Sequence, residues 1–114
     1  MAKIEGLVWH LTVNQKGLPY PWVHGTLEET YFDGIFIANS YGFKAKVYDE
    51  GSKFGINNGR ISKLFVWKSE LGRICNRKVA NYDRGWDMQP TDKTEKEVLQ
   101  RIIDGLEKSP KTKV

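Results

Sequence analysis

The sequence predicts an α+β fold: an antiparallel meander sheet of five to six strands with one C-terminal amphipathic helix packed on one face. Three features carry that expectation. Apolar and polar residues alternate with period 2 over several short runs, as they do on strands buried on one side. Clusters of Gly, Pro, Asn, Asp and Ser separate those runs and mark turns. Near the C-terminus the apolar spacing changes once, to that of a helix. No βαβ alternation occurs, so a parallel doubly wound sheet is disfavoured.

The first strand is read from Leu7, Trp9, Leu11 and Val13, which alternate with Val8, His10 and Thr12; Asn14 to Gly17 ends it. Pro19 and Pro21 flank Tyr20, so a second strand starts at Trp22, runs to Leu27 or Glu28 and is expected at a sheet edge, where it can pair with another copy. A third begins around Tyr31 and contains the apolar run Ile35 to Ala38. Asn39-Ser40-Tyr41-Gly42 reads as a turn, and Phe43 to Asp49 as a fourth strand. Along that strand Phe43, Ala45 and Val47 share one face, while Lys44, Lys46 and Tyr48 share the other. Asn58-Gly59 gives a hairpin signal, because a type I′ turn needs positive φ at both central residues. Ile61 to Lys68 is the fifth strand and Ile74 to Tyr82 the sixth. Asp83 to Asp87 reads as a turn that leads through Pro90 to the helix. Thr91 or Asp92 can cap that helix, with Glu95 near capping-box spacing. Val98, Leu99, Ile102, Ile103 and Leu106 form its single apolar stripe.

A chain of 114 residues holds one core, so 1–114 is read as a single domain with residues 109–114 as a frayed tail. Four Trp, five Tyr and five Phe supply ample apolar area to fill that core. The net charge of +4 is modest, but its distribution is uneven. Between Ile61 and Thr91, Lys63, Lys68, Arg73, Arg77, Lys78 and Arg84 face only Glu70, Asp83 and Asp87. Cys75 is the only cysteine, which excludes an intramolecular disulfide and fits a reducing compartment. The start of the sequence lacks the apolar region of a secretory signal, and no stretch is long and apolar enough to span a bilayer. The expectation is a cytoplasmic protein without membrane contact.

Chemistry-bearing motifs are sparse. His10, His24 and Cys75 lack zinc-site spacing, and Cys75 lies in a predicted strand, where a packed thiol is the ordinary role. The loop at Gly55 to Gly59 precedes a strand, unlike a phosphate-binding loop. No catalytic residue, metal ligand or cofactor is therefore assigned. Asp49, Asp83 and Asp87 are the only carboxylates suggestive of a magnesium-dependent nuclease, although Asp83 can instead cap a turn and pair with Arg84. The more informative feature is a mixed basic and aromatic surface. Lys44, Lys46, Tyr48, Lys63, Arg84 and Trp86 are the candidate contact residues, on the sheet side that a single helix leaves open.

The stretch FKAKVYDEGSKFGINNGRISKL from Phe43 to Leu64, the run YDRGWDMQP from Tyr82 to Pro90 and the C-terminal helix resemble an uncharacterised family of short proteins from Gram-positive bacteria, their phages and plasmids. The likeness covers about two-thirds of the chain, with the part before Phe32 additional. It brings no catalytic residue. What it implies is a mobile-element setting, in which small proteins act by binding host machinery. The expected function is thus a non-enzymatic binding protein, with an inhibitor of a host defence nuclease such as a CRISPR effector as the leading form. Its partner is then a host protein, a nuclease or its nucleic-acid complex, and the protein is a monomer or dimer. A nucleic-acid-binding module using the same face is the alternative, and a metal-dependent nuclease the third.

Overall fold

A computed structural model describes residues 8–15, 17–31, 36–69 and 77–110. Within them lie β1 (Val8–Asn14), β2 (Trp22–Tyr31), β3 (Phe36–Val47), β4 (Ile61–Ser69), β5 (Arg77–Asp83), β6 (Trp86–Met88) and α1 (Lys93–Glu107). The strands form a six-stranded sheet in sequence order, each antiparallel to the next. The expected α+β meander with one C-terminal helix is what forms.

Four details differ from the sequence reading. The third and fourth expected strands are one strand, β3, and Asn39 to Gly42 is not a turn. Those residues pair on both sides: Tyr41 is opposite Leu27 and Lys68, and Gly42 is opposite Thr26 and Trp67. Two ladders outweigh the turn preference of Asn, Ser and Gly. Second, β2 lies inside the sheet, with β1 on its outer side; the prolines precede its first residue and cost it no ladder hydrogen bond. The edges are β1 and β6, so β2 is not open to a second copy. Third, Asn58-Gly59 is not a two-residue hairpin. Asn57 and Asn58 take φ of 52° and 61°, Gly59 stays at −93°, and Ile56 to Asn58 make one short helical turn. That turn tucks Ile56 into the core at 4% exposure, which a tight hairpin would not allow. Fourth, Trp86 to Met88 adds a sixth strand to the expected turn, with Trp86 opposite Tyr82. The first part of the expected sixth strand, Ile74 to Asn76 with Cys75, lies outside the described residues, as does Ile35.

The helix starts as its sequence requires. The Asp92 carboxylate accepts the Glu95 N–H at 3.1 Å, satisfying one of the unpaired donors of the first turn. Its stripe Val98, Leu99, Ile102, Ile103 and Leu106 is buried against Leu27, Phe43, Ala45, Leu64, Val66 and Ala80 of the sheet. Trp9, Leu11 and Val13 of β1 pack on the margin of that core. Gly105 faces β1 closely: a Cβ there would lie 2.0 Å from Leu11 Cδ2, so a larger residue requires the Leu11 side chain to shift.

The far end of the helix is clasped by Arg60. Its guanidinium donates to the carbonyls of Tyr48 at 2.7 Å, Glu107 at 2.9 Å and Ser109 at 2.7 Å. In return, the Glu107 carboxylate accepts the Arg60 backbone N–H through both oxygens, at 3.1 and 2.9 Å. A cation among the last carbonyls of a helix complements its negative end. The clasp also fixes the loop between β3 and β4, which carries one wall of the site described next.

Candidate functional site

Because side chains alternate across a strand, burying Val23 and Leu27, Phe43 and Ala45, and Leu64 and Val66 beneath the helix sends their neighbours to the opposite face. The register brings those neighbours together. Trp22 is opposite Lys46, His24 opposite Lys44, Lys44 opposite Phe65, and Lys46 opposite Lys63. The result is a tryptophan ringed by lysines. The ammonium groups of Lys44 and Lys46 each lie 4.9 Å from the centre of the Trp22 ring, and that of Lys63 lies 5.9 Å away. Beside this cluster the Phe65 and Trp67 rings lie 5.5 Å apart, tilted by 34°, and Lys78 is opposite Trp67 in the ladder. Trp67 lies flat on Gly42, where a Cβ would come within 2.4 Å of the indole.

The electrostatics of this face are lopsided. Lys63 makes a 3.8 Å pair with Asp83, but neither Lys44 nor Lys46 has a carboxylate partner among the described residues. Three ammonium groups round one ring repel each other, so an anion that settles among them is favoured. Among the described residues, the N-terminal third of the chain does not cover the face. Its strands β1 and β2 extend the sheet sideways, and His10, Thr12, Asn14 and Lys44 are exposed.

At the end of β3 the face runs into two adjoining hollows. One, of about 350 Å³, is lined by Lys46, Tyr48, Ser62, Lys63, Asp83 and Arg84. The other, of about 530 Å³, is lined by Tyr20, Tyr48, Phe54, Arg84, Ser62 and the loop Asp49 to Ser52. Tyr20 and Tyr48 meet edge to face at 5.9 Å, and the Tyr20 hydroxyl accepts the Asp49 N–H at 3.0 Å. On the other side the Arg84 guanidinium lies 5.2 Å from the centre of the Phe54 ring. Arg84 sits in the turn between β5 and β6 at φ 59°, a left-handed conformation that costs an L residue roughly 1–2 kcal/mol. Its backbone N–H is held by the Ser62 carbonyl at 3.1 Å.

Of the residues singled out from sequence, Lys46, Tyr48, Lys63 and Arg84 therefore line one hollow, with Lys44 beside them on Trp22. Tyr48 continues the row of Lys44 and Lys46, with Phe43, Ala45 and Val47 buried in alternation with them, and it meets Tyr20 edge to face. Trp86 is elsewhere: it packs on Tyr82 at 5.0 Å, at the margin of the helix-side core. Asp49 lines the larger hollow, Asp83 the smaller, and Asp87 lies on β6. Among the described residues no three His, Cys, Asp or Glu side chains gather as a metal site. Sequence reasoning missed Trp22, Phe65, Trp67, Tyr20 and Phe54. The alternation Lys63, Phe65, Trp67 against Leu64, Val66 carried a signal for two of them; Tyr20 and Phe54 lie in loops and carried none.

A family model for a domain of unknown function, DUF7678, matches residues 21–107. The chain belongs to the DUF7678 family. Its matched span runs from the start of β2 to the last residue of α1, so residues 21–31 are part of the DUF7678 domain rather than an addition, and β1 lies before it. Every residue of the lysine-ringed Trp22 cluster and of the smaller hollow is inside the DUF7678 span; of the larger hollow only Tyr20 falls outside. No curated protein and no solved structure matches the chain. No helix among the described residues is long and apolar enough to cross a membrane.

Proposed function

We propose that this protein is a non-enzymatic binding module whose uncovered sheet face engages single-stranded nucleic acid. The observation that carries the reading is Trp22 with the ammonium groups of Lys44, Lys46 and Lys63 between 4.9 and 5.9 Å of its ring centre. Aromatic rings interleaved with lysines on an open sheet suit a strand whose bases stack while its phosphates pair with ammonium groups. A protein partner is the weaker fit, because the buried centres of protein interfaces are depleted in lysine and three lysines lie at the centre of this face. In the setting that the sequence resemblance implies, a phage or plasmid of a Gram-positive host, such a module would act on nucleic acid or on a nuclease held on it.

The test is fluorescence anisotropy of a labelled oligodeoxythymidine against salt. With Lys44, Lys46 and Lys63 as phosphate contacts, the logarithm of affinity should fall with the logarithm of salt at a slope of about −2. Lys44→Glu with Lys46→Glu should flatten that slope and weaken binding more than tenfold at low salt. An oligonucleotide that shows no binding at low salt would remove the reading, and so would binding indifferent to both substitutions. A protein captured without nucleic acid, on the same lysines, would restore the inhibitor reading instead.

A further inference from the structure

Three of the five exposed large apolar side chains among the described residues, Tyr20 at 44%, Tyr48 at 38% and Phe54 at 45%, open into one hollow. Scattered exposed rings need no explanation, but convergent rings around a concavity of this size are how small-molecule sites are built. The volume of about 530 Å³ is ample for one planar ring system with a sugar.

The two hollows differ in charge. The larger one sets Asp49 and Glu50 against Arg84, whereas the smaller sets Lys46, Lys63 and Arg84 against Asp83 alone. Tyr48, Ser62 and Arg84 line both, so the two are continuous. A ligand filling them has a flat aromatic part at one end and an anion at the other. The exposed Glu50 on the rim of the larger hollow is a carboxylate that suits N–H donors on the edge of such a ring. A phosphorylated phenol lacks those donors. A nucleotide has all three features.

We propose that the Tyr20–Tyr48–Phe54 hollow receives the base of one unpaired nucleotide, with its phosphate on Lys46, Lys63 and Arg84. The proposal rests on the nucleic-acid reading of the sheet face and deepens it: the strand crossing Trp22 ends, or turns out one base, at the close of β3. Arg84 joins the two halves of the site, its guanidinium at once over Phe54 and beside the lysines.

The experiment is a titration of the full chain, followed by NMR of the aromatic side chains, with guanosine and adenosine 5′-monophosphates, the corresponding nucleosides and inorganic phosphate. The monophosphates should shift the rings of Tyr20, Tyr48 and Phe54 together with the Arg84 side chain. The nucleosides should bind at least tenfold more weakly, since they lack the phosphate contacts. Phe54→Ala, which removes an exposed ring and leaves the backbone carbonyl that accepts the Tyr82 hydroxyl, should lower monophosphate affinity about tenfold. Rings that stay still at millimolar monophosphate would overturn the proposal, as would inorganic phosphate acting on the same residues with equal strength. The sheet-face reading fails separately: silent rings with salt-sensitive oligonucleotide binding sink the nucleotide pocket alone, while responsive rings with no oligonucleotide binding sink the sheet face alone.

Discussion

Arg60→Ala is the substitution whose cost the structure predicts most directly. The side chain makes three charge-assisted hydrogen bonds, to Tyr48 at 2.7 Å, Glu107 at 2.9 Å and Ser109 at 2.7 Å. In a partly exposed position each is worth about 1 kcal/mol, since water takes over some of the freed carbonyls. Losing the cation at the C-terminal end of the helix adds roughly 0.3–1 kcal/mol. Removing the side chain should thus destabilise the fold by about 3.5 kcal/mol. For a chain of this size that is a fall of roughly 15 °C in melting temperature. Arg60→Lys keeps the charge but not the planar fork, and should recover less than half of the loss. Urea unfolding of the three proteins, followed by circular dichroism, decides it. The slopes should be equal while the midpoints differ. An Arg60→Ala midpoint within about 0.5 kcal/mol of the parent would show that the carbonyls never depended on Arg60. The same variant carries a local prediction. Tyr48 donates its N–H to the Arg60 carbonyl and Ser52 donates to Gly59, so those two amides should exchange faster with deuterium once the clasp is gone.

Two other outcomes follow from packing and burial. Gly42→Ala places a Cβ within 2.4 Å of the Trp67 indole, so the ring has to leave its seat; a loss of about 1–2 kcal/mol in urea unfolding is expected, and a stable variant would mean that Trp67 does not lie there. Burial pushes the Tyr41 hydroxyl up to about 12 from 10.0, with the Glu95 and Glu29 carboxylates adding to the shift. The unfolded chain loses that proton near pH 10 and the folded one only near 12, so the contribution is intact below pH 10 and is lost as the pH rises toward 12. About 3 kcal/mol should disappear across that window, and Tyr41→Phe should abolish this part of the alkaline loss; an identical alkaline profile for the two proteins would contradict it.

Fold class and helix were legible because each depends on a period within one segment. The stripe Val98, Leu99, Ile102, Ile103 and Leu106 is buried as its spacing demands, and Asp92 caps as its type suggests. What escaped was anything decided between segments. Asn39 to Gly42 has the composition of a turn, yet β2 and β4 claim it from both sides. Asn58-Gly59 has a hairpin signature, yet Ile56 is drawn into the core and the left-handed angles move back to Asn57 and Asn58. The site divides in the same way. Lys44 and Lys46 are one period apart, and their shared face could be read along the chain. That the ammonium groups of Lys44, Lys46 and Lys63 converge on Trp22 is a matter of register across three strands, which no single stretch contains.

Arg84 bears on the site in a different manner. Gly85 follows it in the same turn and would adopt positive φ at no steric cost, yet the left-handed angle falls on the arginine. The bond from the Asp83 N–H to the Gly85 carbonyl at 2.9 Å and that from the Arg84 N–H to Ser62 at 3.1 Å together fix the turn in this form. An arginine standing where glycine or asparagine would relieve strain points to a use for its side chain, since strain of this kind collects at functional positions. The guanidinium is placed where the aromatic hollow and the basic one meet, against Phe54 and beside Lys46 and Lys63. If the turn served only to reverse the chain, Arg84→Gly would stabilise the protein by about 1 kcal/mol and leave ligand binding untouched. If the angle is tolerated for the sake of the side chain, the same substitution leaves the fold at least as stable and takes monophosphate binding away.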